Sequence, residues 1–229
     1  MYAEETTDEP DNVITEERTE LVQDTNQVRA AGFLAEKAAF SHELYGEKFY
    51  LFTLRIPRLS GQSDLLPVLC SERLPADPAA LPAGAQLTVT GQFRSYNNTQ
   101  DSSRSRLLLS VFARGIQVTS SEGFFKTENS IFLDGFLCKP PIYRTTPFGR
   151  EIADLLVAVN RAFNKSDYIP CIAWGRNARF SEKLKTGTRL RIHGRIQSRT
   201  YEKKMADGRT QQRTAYEISV IRLEIPGRV

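Results

Sequence analysis

The 229-residue chain contains two copies of one sequence pattern, set 103 positions apart. Aligning residues 26–95 with residues 129–198 without a gap gives fifteen identical positions, where roughly four are expected from ordinary composition. Turn glycines and alternating apolar residues fall in the same register. A repeat of this length predicts the same fold built twice. Differences between the copies then separate what the fold needs from what one copy does.

The period-two apolar pattern predicts an all-β fold for each copy. The second copy shows five strand-like segments and one helix-like segment, Asn177–Leu184, which Gly187 closes. The predicted strands lie near Ile131–Cys138, Glu151–Asn160, Tyr168–Trp174, Thr188–Arg199 and Thr214–Glu224. Five strands with a helix between the third and the fourth is the layout of an OB-fold barrel. We therefore predict two tandem five-stranded OB-fold barrels, each with a short helix.

The domain boundaries follow from composition and from the repeat. Residues 1–25 carry nine acids and one base with no clear apolar period, so they are predicted to be a disordered acidic tail. The first barrel is assigned to residues 26–119, a linker to 120–128 and the second barrel to 129–229. The repeats lose register in the last hairpin, which we expect to be about six residues longer in the second copy. Such an insertion suits a loop.

The charge of the chain is distributed unevenly. Its net charge of +4 combines −8 in residues 1–25, +2 in residues 26–128 and +10 in residues 129–229. A domain of about 100 residues with that positive excess indicates a polyanionic partner. The alternative is a solvated basic surface without a partner.

One strand of the second copy places its basic residues on a single face. Side chains alternate along a strand, so Leu190, Ile192 and Ile196 are predicted to face the barrel core. The opposite face is predicted to carry, unless a bulge intervenes, Arg189, Arg191, His193, Arg195 and Arg199. The first copy keeps the apolar face and has there Gln86, Thr88, Thr90, Gln92 and Tyr96. Fold stability does not explain the arginines, because the sister barrel lacks them.

Aromatic residues show the same contrast between the copies. Ser60, Leu65 and Ser71 of the first copy stand where the second has Phe163, Tyr168 and Trp174. Tyr201 begins a basic hairpin that also contains Lys203 and Lys204. Rings interleaved with cations suit single-stranded nucleic acid, since bases stack on the rings and cations contact phosphates. The alternative is that these rings are core residues.

Three runs in the second copy, Asp154–Arg161, Ser166–Gly175 and Lys185–Tyr201, resemble the bacterial single-stranded DNA-binding protein family. The resemblance covers most of residues 129–224. It implies an OB-fold that binds single strands without sequence preference. Its stacking positions fall on Phe163, Tyr168, Trp174 and Tyr201, and its basic contacts fall near Arg161, Arg176, Arg191 and Arg199. Together with the residue pattern, this gives a predicted nucleic-acid site of Phe163, Tyr168, Trp174, Tyr201, Arg161, Arg176, Arg189, Arg191, Arg195, Arg199, Lys203 and Lys204.

The resemblance also carries expectations about assembly and partners. Members with two barrels per chain form dimers, so a homodimer with four barrels is expected, in which the first copy serves mainly as an assembly surface. The family's acidic C-terminal tip, which recruits replication and repair enzymes, is not found in the final residues Ile225–Val229. We therefore expect recruitment by that route not to apply. The acidic tail either substitutes for the tip or competes with DNA for the basic groove.

Other functions are weighed on the motifs that they need. The chain shows no phosphate loop, nucleophile elbow or zinc-binding histidine pair, so we expect no enzyme, no cofactor and no metal, with a magnesium-dependent nuclease as the enzymatic alternative. Asp64 and Asp167 recur beside turn-like serines, which favours a local hydrogen-bonding role. Three cysteines without metal spacing, no apolar span and no secretory signal favour a cytoplasmic, nucleoid-associated protein. RNA-binding or primosome-type modules and a protein scaffold remain as alternative functions.

Overall fold

The computed structural model describes residues 25–97, 107–119, 125–204 and 208–227. The first repeat contains six strands: β1 (Asn26–Leu34), β2 (Ala39–Leu44), β3 (Glu47–Pro57), β4 (Ser63–Ser71), β5 (Gln86–Asn97) and β6 (Leu107–Thr119). The short helix predicted for this repeat is wrong, because residues 72–85 form turns. Pro75, Pro78 and Pro82 explain the difference, since proline lacks the amide hydrogen that a helix needs.

The second repeat contains the five predicted strands, the predicted helix and one further strand. Its elements are β7 (Glu128–Leu137), β8 (Ile142–Thr145), β9 (Glu151–Arg161), β10 (Lys165–Trp174), α1 (Arg176–Glu182), β11 (Arg189–Lys204) and β12 (Thr210–Glu224). The short strand β8 was not predicted. The predicted acidic tail lies outside the described residues up to position 24, and so does the linker over residues 120–124.

All twelve strands belong to one sheet in the order β2-β3-β4-β6-β5-β1-β7-β11-β12-β10-β9-β8. The additional pairings β1–β3 and β7–β9 close each half into a barrel. The two barrels join through the antiparallel pair β1–β7, in which Val28 lies opposite Ile131. These two residues are repeat equivalents, so a local pseudo-twofold axis passes between them.

The barrel interiors are built from the predicted apolar faces. Leu190, Ile192 and Ile196 are fully buried, which confirms the predicted orientation of β11. Gly91 and Gly194, which are repeat equivalents, lie at a β-bulge in each barrel. A Cβ atom at either position would collide with a carbonyl oxygen of the neighbouring strand. The glycine therefore recurs because the strands approach too closely for any side chain.

The last hairpin is longer in the second repeat, but by less than expected. Phe93 pairs with Val111 in the first barrel, and its equivalent Ile196 pairs with Ile218 in the second. The offset between repeats is therefore 107 on the final strand, four residues more than before the hairpin.

The two recurring aspartates have a wider role than the local one predicted. Asp64 accepts a hydrogen bond from the backbone amide of Ser198, and Asp167 accepts one from that of Ser95. Each aspartate therefore reaches across from one barrel to the other. The predicted local role covers only their contacts with Arg58 and Arg161, six residues away, because the backbone partners lie more than seventy residues away in sequence.

Candidate nucleic-acid interface

The outer face of β10 presents two aromatic rings to solvent. Ile169, Cys171 and Ala173 point into the barrel, so the alternate side chains point outwards. Tyr168 is 44% exposed and Trp174 is 37% exposed. Neither ring belongs to the core, so the alternative interpretation of these aromatics as core residues is wrong for both.

Trp174 lines a surface groove of about 510 Å³, whose other lining residues lie on β8, β9, β10, β11 and β12 and at Lys139. We call this the Trp174 groove and define it by Lys139, Arg144, Pro170, Trp174, Gln197 and Arg199. Two carboxylates also line it, and both have partners. Arg144 bonds to Asp154 at 3.0 Å, and the Gln197 amide donates to Glu217 at 2.6 Å. Lys139 and Arg199 make no ion pair with any described residue, so their charges remain available to a ligand.

Phe163 stands at the tip of the β9–β10 hairpin and is 92% exposed. Its φ angle of 61° lies in the left-handed region, as does that of Asn164 at 52°. Such a backbone is uncommon for a bulky residue and has an energetic cost. Positive φ angles also suit a tight hairpin turn, so the informative observation is that the Phe163 ring projects into solvent.

The β11–β12 hairpin extends beyond the barrel as a two-stranded arm, on which Lys204 pairs with Thr210. Tyr201 lies on this arm and is 37% exposed. The guanidinium carbon of Arg199 is 5.7 Å from the centre of the Tyr201 ring, within the range of a cation–π contact. Lys203 pairs with Gln211 in the same arm. The arm therefore continues the aromatic and basic character of the Trp174 groove.

The predicted basic residues on β11 contact different neighbours along the strand, and the bulge beside His193 and Gly194 places its extra residue, Ile221, on β12. Arg189 and Arg191 lie beside β7, where both bond to Asp134 at 2.8 and 3.0 Å. Burial alone would raise the pKa of Asp134, but hydrogen bonds from the two guanidinium groups outweigh it and lower that pKa. The predicted outer face is kept along the whole strand, because the alternate residues Leu190, Ile192 and Ile196 are buried, but only Arg199 of this face lines the Trp174 groove.

Two further predicted cations are held at the junction between the barrels. Arg195 bonds to Asp64 at 3.2 Å, and Arg161 lies 3.5 Å from Asp167. Both side chains are partly buried. In contrast, Arg176 at the start of α1 is exposed and makes no ion pair with the described part of the chain. The predicted cations thus fall into a paired group and an unpaired group, the second containing Arg176, Arg199 and Lys204.

Several residues of this surface were missed from the sequence. Lys139 and Arg144 line the Trp174 groove, and Phe148 is exposed at the turn between β8 and β9. Lys165 is exposed beside the Phe163 hairpin. The sequence signal was present in the repeated turn glycine Gly149, whose neighbour Phe148 matches an exposed tyrosine in the first copy. The strand that carries Arg144 has four residues, too few to show a period.

The first barrel presents an apolar surface at the equivalent face. Leu51 stands in place of Asp154, Leu65 in place of Tyr168 and Leu108 in place of Ala215. All three leucines are exposed. Ser71, the equivalent of Trp174, is buried and bonds to Glu47. The two barrels therefore share a fold but expose different chemistry.

Within the described ranges, no helix is long and apolar enough to cross a membrane. Among the same residues, no three His, Cys, Asp or Glu side chains gather into a group that could hold a metal ion.

Comparison with protein families gives a match to the single-strand binding protein family over residues 128–225. Single-stranded DNA-binding protein 1 of Staphylococcus aureus (strain COL) is 40% identical over 81 residues, which cover 32% of this chain and 48% of the relative. Single-stranded DNA-binding protein A of Bacillus subtilis (strain 168) is 38% identical over 81 residues, covering 32% and 47%. The chain thus spans about half the length of the curated relatives that it matches.

Comparison with solved structures extends the likeness to the first repeat. The wild-type single-stranded DNA binding protein from Thermus aquaticus superposes with a TM-score of 0.71 over 89% of this chain and 94% of the other. The sequence identity is 22%, so the likeness concerns the fold. It includes both barrels and supports the tandem architecture.

Proposed function

We propose that the chain, whose residues 128–225 match the single-strand binding protein family, binds single-stranded DNA without sequence preference. The observation that carries the proposal is the Trp174 groove, where an exposed ring lies beside the unpaired charges of Lys139 and Arg199. We assign the activity to replication, recombination or repair, where single strands need protection.

Base stacking supplies one part of this sequence-independent interaction. Phe163, Tyr168, Trp174 and Tyr201 are all exposed, and every base has a face that stacks on such a ring. Each stacked base contributes about 1–3 kcal/mol. A strand that runs from the Phe163 hairpin along β10 to the Trp174 groove meets three of these rings.

Phosphate contacts supply the rest of the affinity. Arg176, Arg199 and Lys204, together with the newly found Lys139 and Lys165, form no ion pair with a described carboxylate. Phosphates of the strand therefore need not displace a protein partner from these cations. The paired arginines, in contrast, have to exchange a carboxylate for a phosphate. We assign the main phosphate contacts to the unpaired group.

We further propose that the protein is a homodimer with four barrels. The outer face of the central strands β5, β1, β7 and β11 holds an open groove on the pseudo-twofold axis, lined by Gln27, Arg29, Phe132, His193 and Ile221. Ile221 is a strongly exposed apolar residue there. A face with internal twofold symmetry suits a self-complementary contact. Sedimentation of the full chain tests this, and a monomer at micromolar concentration contradicts it.

The proposed activity is binding alone, without a chemical step. We further propose that the protein acts in the cytoplasm, at the nucleoid. Cys70 and Cys171 are buried free thiols, which suits a reducing compartment.

The fluorescence of Trp174, the only tryptophan, tests the proposed function. Poly(dT) should quench it strongly at low salt. The affinity should fall as salt rises, with a log–log slope of about −0.7 for each phosphate neutralised. A matched RNA competitor measures the preference for DNA, because the two differ at the 2′-hydroxyl. Unchanged fluorescence and no retention of labelled oligo(dT) would overturn the proposal.

A further inference from the structure

The acidic segment, residues 1–24, and the second repeat carry opposite charge. The segment contains nine acids and one base, whereas residues 129–229 have a net charge of +10. The first repeat with its linker, residues 26–128, has a net charge of only +2. Within one chain, the strongest electrostatic complement to the acidic segment is therefore the second barrel.

The acidic segment precedes the first barrel in sequence, but Thr25, the residue to which it is attached, contacts the second barrel. The backbone oxygen of Thr25 accepts a hydrogen bond from the amide of Asp134 at 2.8 Å. The Thr25 hydroxyl donates to the backbone oxygen of Asn160 at 3.4 Å. Asn160 is the last but one residue of β9, next to Arg161, and it pairs with Ser166 beside Lys165. The segment thus starts at the base of the Phe163 hairpin.

The distance from this point to the Trp174 groove is within reach of the segment. Ser166 pairs with Asn160, and β10 runs from there to Trp174, a distance of about 27 Å at the usual rise per residue. Twenty-four extended residues span at most about 80 Å. The attachment also gives the carboxylates a local concentration of order millimolar.

We propose that the acidic segment, residues 1–24, binds the cationic surface of the second barrel in competition with single-stranded DNA. That surface consists of Lys139, Lys165, Arg176, Arg199 and Lys204. The competition rests on the proposed function, whereas the contact between segment and barrel does not. The apolar face of the first barrel offers the carboxylates no such partner.

The physical chemistry of the two ligands sets the outcome of this competition. Carboxylates bound to exposed lysine and arginine form weak, salt-sensitive pairs. A nucleic-acid strand adds stacking on Phe163, Tyr168 and Trp174, which the segment has few aromatic residues to match. Long strands therefore displace the segment, whereas short strands and other weak polyanions are excluded.

Three variants of the full chain test the competition. One lacks residues 1–24, one has the nine acids of this segment replaced by Asn and Gln, and one has the segment scrambled with its charges kept. At low salt, the deleted and the neutralised variants should bind a short oligo(dT) about tenfold more tightly than the parent. The scrambled variant should bind like the parent, and all differences should vanish at high salt. A neutralised variant that binds like the parent would overturn the competition.

Cross-linking tests the contact without DNA. A carbodiimide activates a carboxylate, and the amine of a nearby lysine then forms an amide with loss of the activating group as a urea. Cross-links from the segment should form to Lys139, Lys165 and Lys204, and oligo(dT) should suppress them. Links only to Lys37 and Lys48 of the first barrel, or none, would overturn the contact. If the links form but no variant binds oligo(dT), the proposed function fails and the contact stands.

Discussion

The Asp64 carboxylate of the first barrel accepts a hydrogen bond from the backbone amide of Ser198 in the second, at 3.1 Å. The repeat equivalents make the reverse contact, from the Ser95 amide to Asp167 at 2.9 Å. Both serines also use their hydroxyl groups, which accept from the amides of Leu65 and Tyr168. The barrels are therefore joined by one interaction used twice around the pseudo-twofold axis, which explains why these aspartates and serines recur.

The two halves of this junction should differ in stability. Asp64 bonds to Arg58 and Arg195, so Asp64→Asn leaves two guanidinium groups without their carboxylate and should cost about 2 kcal/mol. Burial raises the pKa of Asp167 above its usual value, because its charge is poorly compensated. Asp167→Asn should therefore cost about 1 kcal/mol or less. Urea unfolding of the full chain measures both.

A surface control completes this comparison. Asp154→Asn removes an exposed carboxylate that pairs with Arg144, and it should change the free energy of unfolding by less than about 0.5 kcal/mol. Equal losses for Asp64→Asn and Asp154→Asn would contradict the role of Asp64 at the junction.

The aromatic contacts should contribute measurably to the sequence-independent affinity. Phe163→Ala and Trp174→Ala should each weaken oligo(dT) binding by about 1–3 kcal/mol, through the loss of one stacked base. The matched control for Phe163→Ala is Ser60→Ala in the first barrel, which should leave the affinity unchanged. Because the Trp174 variant has no fluorescence signal, anisotropy of a labelled oligonucleotide is the suitable measurement. Equal effects of Phe163→Ala and Ser60→Ala would argue against the assignment.

Because some arginines of β11 have carboxylate partners and others have none, two variants on this strand should change the salt dependence of DNA binding by different amounts. Arg199 lies in the Trp174 groove without a carboxylate partner, so Arg199→Ala should reduce the log–log salt slope by about 0.7. Arg191 is bound to Asp134 on the far side of the bulge, so Arg191→Ala should change the slope by less than half of that. Titrations from low to moderate salt measure both slopes. A larger change of the slope for Arg191→Ala would place the bound DNA on the outer face of the central strands β5, β1, β7 and β11 instead.

The arginine pair on Asp134 also predicts a pH dependence of stability. The pKa of Asp134 is lowered below its usual value of 3.8 in the folded protein, so its ionised form contributes stability above that pH. The contribution is lost as the pH falls through the lowered pKa. Asp134→Asn should therefore reduce the free energy of unfolding at pH 7, by about 1 kcal/mol. Denaturant unfolding at pH 7, 5 and 3 should show the gap to the parent closing at the lowest pH.

Alternation along single strands was enough to predict which face of β11 points into the second barrel, whereas the exposure of Trp174 and Tyr168, for which a core role stayed open, had to come from the structure. Alternation rests on a period that every strand shares, so it needs no knowledge of partners. The pairing of Arg191 with Asp134, by contrast, depends on the register between β7 and β11. The contact of Arg195 with Asp64 joins residues in different repeats. No local pattern contains that information.

The missing helix of the first repeat shows a different limit of prediction. The repeat itself argued for a helix in both copies, since the flanking residues align. The prolines of residues 72–85 argued against one, and they decided the structure. A shared ancestry predicts the barrel, because the barrel is held by many residues. Shared ancestry does not predict the conformation of one surface segment, because only a few residues determine it.

The buried cysteines allow a last prediction about whether the barrels unfold together. Cys70 lies inside the first barrel and Cys171 inside the second. Burial raises the pKa of Cys70 to about 12 and raises that of Cys171 as well. Because the thiolate is the reactive form, neither should react with a disulfide reagent at pH 8 while its barrel stays folded.

Reaction of these two thiols therefore reports the opening of each barrel separately. The pair β1–β7 and the reciprocal contacts of Asp64 and Asp167 tie the barrels into one sheet, so we expect one cooperative unit. In rising urea, Cys70 and Cys171 should be labelled at the same rate, as followed by mass spectrometry of the peptides. Asp64→Asn weakens the junction and should let the two rates separate. Labelling of one cysteine well before the other in the parent chain would show that the barrels unfold independently.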